Sequence, residues 1–450
     1  MTQYSTQTND FLNTNRNIYE VVYTANGTSG NVVSTVNPLP VSLYTSTGEN
    51  SVSFSGGSID AFGRLRTSSA YTLFDSQHRY DENGKWSENT SGSGSSTHNA
   101  NDSSIEMDVT DASGDEIIRE TKRIFSYQPG KSLLIMTTFV MNVGKTNLRQ
   151  RVGYFGSNDG IYFEQDDNTL YMVLRSSITG SVVNTRVAQT DWNVDKLDGT
   201  GNSGITIDPS KAQIFWADIE WLGVGSVRVG FVIDGKFYNC HTFHNANDKV
   251  TTYMRTAHLP CRVEITNKGA TSSSSQMKQI CATVISEEGF EKVARENFIK
   301  MPSVKGSIGT TLVPMVSFRL KSTRLDSVIV PSTVSFMGVA ATGTSEYEVV
   351  LVKNATLSGT PSWVTSDFDN VEYDLSASGV TISNNNVVRQ FYATSTNQAA
   401  TTLTDSGTYN LDLQIGRTLA GVSDVYTLCC RTLSGTNSAI GALGFYDLTN

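Results

Sequence analysis

Within the short segment Trp216–Trp221 (WADIEW) lie two residues well spaced for chemistry, Asp218 and Glu220. Two positions apart on a strand, their carboxylates leave the same face. Such a pair can cleave a glycosidic bond, one group acting as acid and the other as nucleophile or base. The same spacing also makes an ordinary polar strand face, with Arg228 on the next strand as ion-pair partner, and no catalytic residue is assigned. Trp192, Trp216 and Trp221 would stack on sugar rings if exposed, because flat aromatic faces suit the apolar side of a sugar. Aromatics on alternating strands more often fill a core. Trp192, Trp221, Asp218 and Glu220 are therefore the candidate glycan-binding residues.

Other constellations point to turns rather than sites. Cys240, His241 and His244 offer sulfur and nitrogen ligands, but zinc needs a fourth, and adjacent strand residues point to opposite faces. Ring hydrogen bonds near a strand end are the expectation there. Asp166-Asp167-Asn168 and Asp195–Asp198 are turn formers, since one turn supplies too few of the six to eight oxygens calcium takes. No phosphate-cradling glycine loop and no GxSxG elbow occurs. No metal and no cofactor is expected.

The elements that must position these residues are strands. Hydrophobic residues make up 38% and charged residues 17% of the 450 residues, which excludes a charge-rich disordered chain. A net charge of −9 argues against a broad grip on nucleic-acid phosphates. The absence of a long apolar run argues against a membrane-spanning helix, and the first twenty residues do not read as a secretory signal. Five cysteines without CxxC spacing read as buried thiols from a reducing compartment.

Residues 1–50 are rich in Thr, Asn and Ser and read as an arm. From 51 to 300, strands of six to nine residues alternate with tight turns at Ser157–Gly160, Asp166–Asn168, Gly223–Ser226 and Asp234–Gly235. That pattern predicts an antiparallel β-sandwich of the jelly-roll kind. Leu133–Val143 reads as a strand buried on both faces, Asn89–Ser104 as a mobile or interface loop, and Ser286–Phe298 as a short helix. Residues 301–313 read as a linker, and 314–450 as a second, smaller β-sandwich with alternation in Glu346–Lys353 and Tyr409–Ile415.

The stretch Ile59-Asp60-Ala61-Phe62-Gly63-Arg64-Leu65-Arg66, followed by Tyr71-Thr72-Leu73-Phe74-Asp75, resembles a family of structural proteins from tailed-bacteriophage particles, above all marine and cyanobacterial phages. The resemblance continues through Trp86, Thr90–Ser95, Arg151–Phe155, Asp159–Glu164, Glu220–Gly235, Cys240–Asn247, Leu259–Glu264 and Gln279–Gly289. Leu411–Gly416 and Phe445-Tyr446-Asp447-Leu448 extend it towards residue 450. It implies a concanavalin-like lectin sandwich in a non-enzymatic virion component, made in the host cytoplasm and released by lysis. Tail fibre, baseplate and head decoration all fit such a protein. The expected partners are further copies of the chain, a trimer first, other virion proteins and host-surface glycan, with no nucleic acid and no membrane insertion. Physically, Gly56, Gly57 and Gly63 permit sharp turns. Asp60, Arg64, Arg66 and Asp75 are expected to lock the arm onto the sandwich, with Tyr71, Leu73 and Phe74 entering the core.

Overall fold

The computed structural model describes residues 22–23, 31–32, 69–291, 294–339, 344–395, 401–403 and 410–449. Within Met1–Thr67, Val22–Tyr23 pairs antiparallel with Asn31–Val32. The rest of the expected arm, with Asp60, Arg64 and Arg66, lies outside the described residues.

Ser68–Asn450 forms one compact unit with two main cores. Around the first core, two antiparallel sheets face each other. The seven-stranded sheet runs in the order Val183–Ala188, Thr169–Ser176, Gly160–Asp166, Leu148–Phe155, Cys261–Asn267, Glu116–Thr121, Trp86–Ser91. The eight-stranded sheet runs Lys236–Phe243, Val227–Ile233, Gln213–Ile219, Leu133–Val140, Ser275–Ser286, Ser104–Val109, Ser95–Asn99, and Tyr71–Gln77 also pairs with Ser275–Ser286. Alternation drives the packing: every second side chain of a strand faces the opposite sheet. Phe163 of one sheet thus meets Phe231 of the other at 5.1 Å in an edge-to-face contact. The all-β sandwich and its hairpins, with Asp234 and Gly235 at positive φ, agree with the sequence pattern.

Several local expectations are corrected. Leu133–Val140 is buried on one face and half-buried on the other, because its sheet turns an outer face to the surroundings. The helix expected over Ser286–Phe298 is absent among the described residues: Ser286 ends one strand and Glu296–Lys300 forms another. Gly289 sits at φ +77°, and Glu287 and Glu288 accept hydrogen bonds from Ser132 instead of opening a helix. Asn89–Ser104 is no loop either; it contains the end of Trp86–Ser91 and all of Ser95–Asn99. Between those strands, near Gly92 (φ +64°), the chain crosses from one sheet to the other. Serine and threonine on exposed edge strands hide the hydrophobic alternation that would mark them. A register shift opposite Leu73 lets both Leu73 and Phe74 enter the core, while Tyr71 stays outside and stacks on Phe290.

The second core lies between a five-stranded and a six-stranded antiparallel sheet, with Phe318, Phe336, Tyr347, Tyr426 and Phe445 inside. Glu296–Lys300 and Lys305–Ile308 pair with Asn437–Asp447, and Ile308 is fully buried. The expected linker therefore belongs in part to this domain. Leu411–Leu413, expected inside a strand, is a 3-10 turn capped by the side chain of Asn410; Tyr409 lies outside the described residues.

That turn joins the domains. Arg123 donates to Leu411 O at 2.5 Å, and Gln414 donates to Ile124 O at 2.7 Å. Burial lowers the pKa of Arg123, while the charges of Asp412 and Asp75 oppose this. Ile124, Val328, Val330 and Leu448 form a small apolar cluster between the two cores.

Candidate functional site

Three neighbouring strands of the seven-stranded sheet carry charge at alternate positions on the face turned away from the core. Glu164, Arg151 and Glu264 are direct cross-strand partners, as are Arg262 and Glu120. Arg151 donates to Glu164 Oε2 at 2.6 Å and to Glu264 Oε2 at 3.2 Å. Arg262 bridges Glu264 at 2.6 Å and Glu120 at 2.8 Å. Arg186 reaches Glu164 and Asp166, both at 2.6 Å, and Lys268 closes that end on Asp166.

Guanidinium groups also lie over aromatic rings. Arg175 sits 5.1 Å from Tyr162 and 5.6 Å from Phe155, Arg262 is 5.6 Å from Phe155, and Arg186 is 4.0 Å from Tyr171. Gly153 stands between Tyr162 and Arg262 in register, where a Cβ would approach that of Tyr162 to 2.8 Å. Its missing side chain gives the row its room.

The electrostatics hold these carboxylates ionised. Burial pushes the Glu264 pKa up, but Arg262, Arg151 and Arg149 outweigh it and bring the carboxyl below its ordinary value. Asp166 is likewise net lowered, burial being overcome by Lys268 and Arg186. Arg151 and Arg262 are raised: burial opposes their charge, and the neighbouring glutamates overcome it, with Tyr162 adding to the effect at Arg151. A general acid near neutral pH needs a raised carboxyl. A depressed carboxylate fixed to a guanidinium accepts hydrogen bonds and holds geometry instead. Buried ion pairs of this kind add little net stability, yet each partner is costly to remove alone.

The sequence-derived candidates do not converge on this face. Trp192 is 2% exposed, inside the first core, with its indole N–H on Val187 O at 3.1 Å, so it offers no face to a sugar. Trp221 is half-buried and meets Tyr127 edge to face. Trp216 is buried and lies edge-on to Phe237, which is 53% exposed. Asp218 accepts both Nε and Nη2 of Arg228, the ion-pair partner foreseen on the next strand. Glu220 falls just past the end of Gln213–Ile219, in the turn, and is exposed where Asp218 is buried. Asp75 lies exposed on its strand, its carbonyl accepting from Lys85 Nζ at 2.9 Å.

Cys240 is buried in the core, His241 accepts from Asn193 N at 3.3 Å through its ring, and His244 is exposed. Asp167 sits at φ +56° and accepts from Asn147 N at 2.6 Å, and Asp195 accepts from Leu197 N and Ser203 N. Among the described residues, no group of three or more His, Cys, Asp or Glu side chains could hold a metal ion. The sequence reading missed the charged row itself. Its signal was present in RQR, EQD and RVE, three strand segments with charge at every second position.

No family model matches the chain, and no curated protein matches it in sequence. Solved structures align with about half of it. The carbohydrate recognition domain of Emp47p aligns at 14% identity and TM-score 0.31, covering 48% of this chain and 97% of that one. A GH16 protein from a Bacteroides ovatus mixed-linkage glucan locus, in complex with product, aligns at 11% identity and TM-score 0.33, covering 47% and 99%. The exoplasmic/lumenal domain of VIP36, in its Ca2+/Man3GlcNAc-bound form, aligns at 9% identity and TM-score 0.30, covering 49% and 91%.

Proposed function

We propose that this chain is a non-enzymatic structural component of a bacteriophage particle, working through assembly contacts and meeting host-surface glycan. The observation that carries this reading is the weld between its two β-domains. Shared apolar packing, Arg123 on Leu411, Gln414 on Ile124 and Arg417 on Glu120 make one stiff two-sandwich body. A subunit that must keep its shape under load in a particle needs such stiffness; a hydrolase needs a free acid. The ionised, guanidinium-bound carboxylates of the charged row suit the former, as does the Asp218–Arg228 pair. The resemblance to phage virion proteins supplies the setting, and a closed trimer would protect the exposed sheet edges.

The test is to locate the chain in a reconstruction of the intact particle. Density for it at defined positions, in a fixed copy number, is the expected result. Finding it free in lysate and absent from purified particles overturns the reading. Release of reducing sugar from host polysaccharide, abolished by Glu220→Gln, would replace it with a glycan depolymerase.

A further inference from the structure

The hairpin built from the Ser/Gly/Asn-rich stretch borders a cleft of about 450 Å³. Ser95, Asp108 and Gln276 are successive cross-strand partners along one wall, and Asn142, Ser274 and Ser275 lie beside them. The volume falls within the roughly 300–1,000 Å³ of small-molecule sites.

The walls are held in place by their own hydrogen bonds. Asp115 accepts from Ser93 N at 2.8 Å and Thr110 N at 3.0 Å, tying the sheet-crossing turn to the neighbouring strand. Gln276 donates to Asp108 Oδ1 at 2.9 Å, and its own N–H reaches Asn142 Oδ1 at 3.3 Å. Lys145 donates to the carbonyls of Ser273 and Ser274, which fixes the far rim.

One lining group is left over. Ser275 is 4% exposed, and its Oγ has no hydrogen-bond partner among the described residues. A buried hydroxyl without a partner costs about 1–3 kcal/mol, which a ligand group reaching it would relieve. The lining holds five hydroxyl side chains, two amides and one carboxylate, with no cation and no aromatic ring. Without a cation it has no purchase on phosphate or sulfate, and without a ring it has no platform for a base or aryl group. One carboxylate supplies too little charge and too few oxygens for calcium. Hydroxyls that donate and accept at once match a ligand of the same character.

We propose that this cleft binds a single neutral sugar residue, with Asp108 and Ser275 meeting adjacent ligand hydroxyls. The proposal rests on the glycan-contact part of the function above and gives it an address.

The experiment is saturation-transfer NMR on the full chain with the methyl glycosides of glucose, galactose and mannose, and with N-acetylglucosamine. At least one should receive saturation. Ser95→Trp, at an exposed position, fills the cleft and should abolish the signal. Asp108→Asn, nearly isosteric and therefore safe for folding, should weaken binding at least tenfold by titration, while Asp218→Asn leaves it unchanged. Undiminished binding in both Ser95→Trp and Asp108→Asn overturns the cleft and leaves glycan contact elsewhere on the chain. Failure of all four sugars to bind the unaltered chain also overturns the cleft. The virion role then still stands or falls separately, on the particle reconstruction.

Discussion

Arg417 Nη1 lies 2.5 Å from Glu120 Oε1, so a residue beyond the second domain's 3-10 turn completes the charge balance of the first domain's sheet. Glu120 is nearly fully buried and also holds Arg262, and the N–H of Arg417 is fixed on Lys122 O at 2.8 Å. The charged row and the domain weld therefore share one carboxylate.

Glu120→Gln should destabilise the protein by about 3–5 kcal/mol, because it leaves two guanidinium groups short of a counter-charge. A double-mutant cycle with Arg417→Met, read by urea unfolding, should return a coupling of roughly 0.5–3 kcal/mol. Strict additivity would mean that the contact does not tie the domains.

Arg151 is the hub between Glu164 and Glu264. Arg151→Met should cost about 3–5 kcal/mol, since two buried carboxylates then lose a shared partner. Arg151→Lys should recover only part of this loss, because a point charge cannot fork between both glutamates as a guanidinium does. Thermal melts of the two variants decide it, and equal melting points would show that fork geometry is irrelevant.

Acid should loosen the first domain before carboxylates protonate. Burial, helped by Arg119 and His98 against the opposing charges of Glu82 and Asp81, lowers the His78 pKa to about 4. His241 is lowered to about 4 by burial and by His244. The unfolded chain takes up these protons near pH 6.5, the folded chain only near 4. Protonation therefore favours unfolding in between: the contribution is whole above 6.5, is lost as pH falls from 6.5 to 4, and is flat below that. Urea midpoints across this window should fall, and His78→Gln should flatten the slope.

Gly92 turns the chain between sheets at φ +64°, and a Cβ there would come within 2.3 Å of Asp115 Oδ1. Gly92→Ala should cost about 1–3 kcal/mol from backbone strain, with displacement of the Asp115 carboxylate on top. Gly84, also at positive φ but with nothing within 4 Å of a Cβ, is the control. Its alanine variant bears the strain alone and should lose less in the same unfolding assay.

How much of this could be read in advance depended on the range of the interactions. Period-two alternation and Gly/Asp turns are local, so the residues alone determined an all-β protein, its central hairpins at 148–176 and 213–243, and the partnership of Arg228 with Asp218. Edge strands such as Ser95–Asn99 bury too little to carry that pattern, and the acids after Ser286 resemble a helix start until Ser132 is seen to claim them. Tertiary structure alone decided which alternating charges meet. Glu120, Arg151, Glu164, Arg262 and Glu264 lie on four strands distant in sequence, and only sheet register places them side by side. It also decided that Trp192 is core and that Leu411 belongs to a turn joining domains. Those outcomes rest on pairings between residues up to three hundred positions apart, which no local pattern encodes.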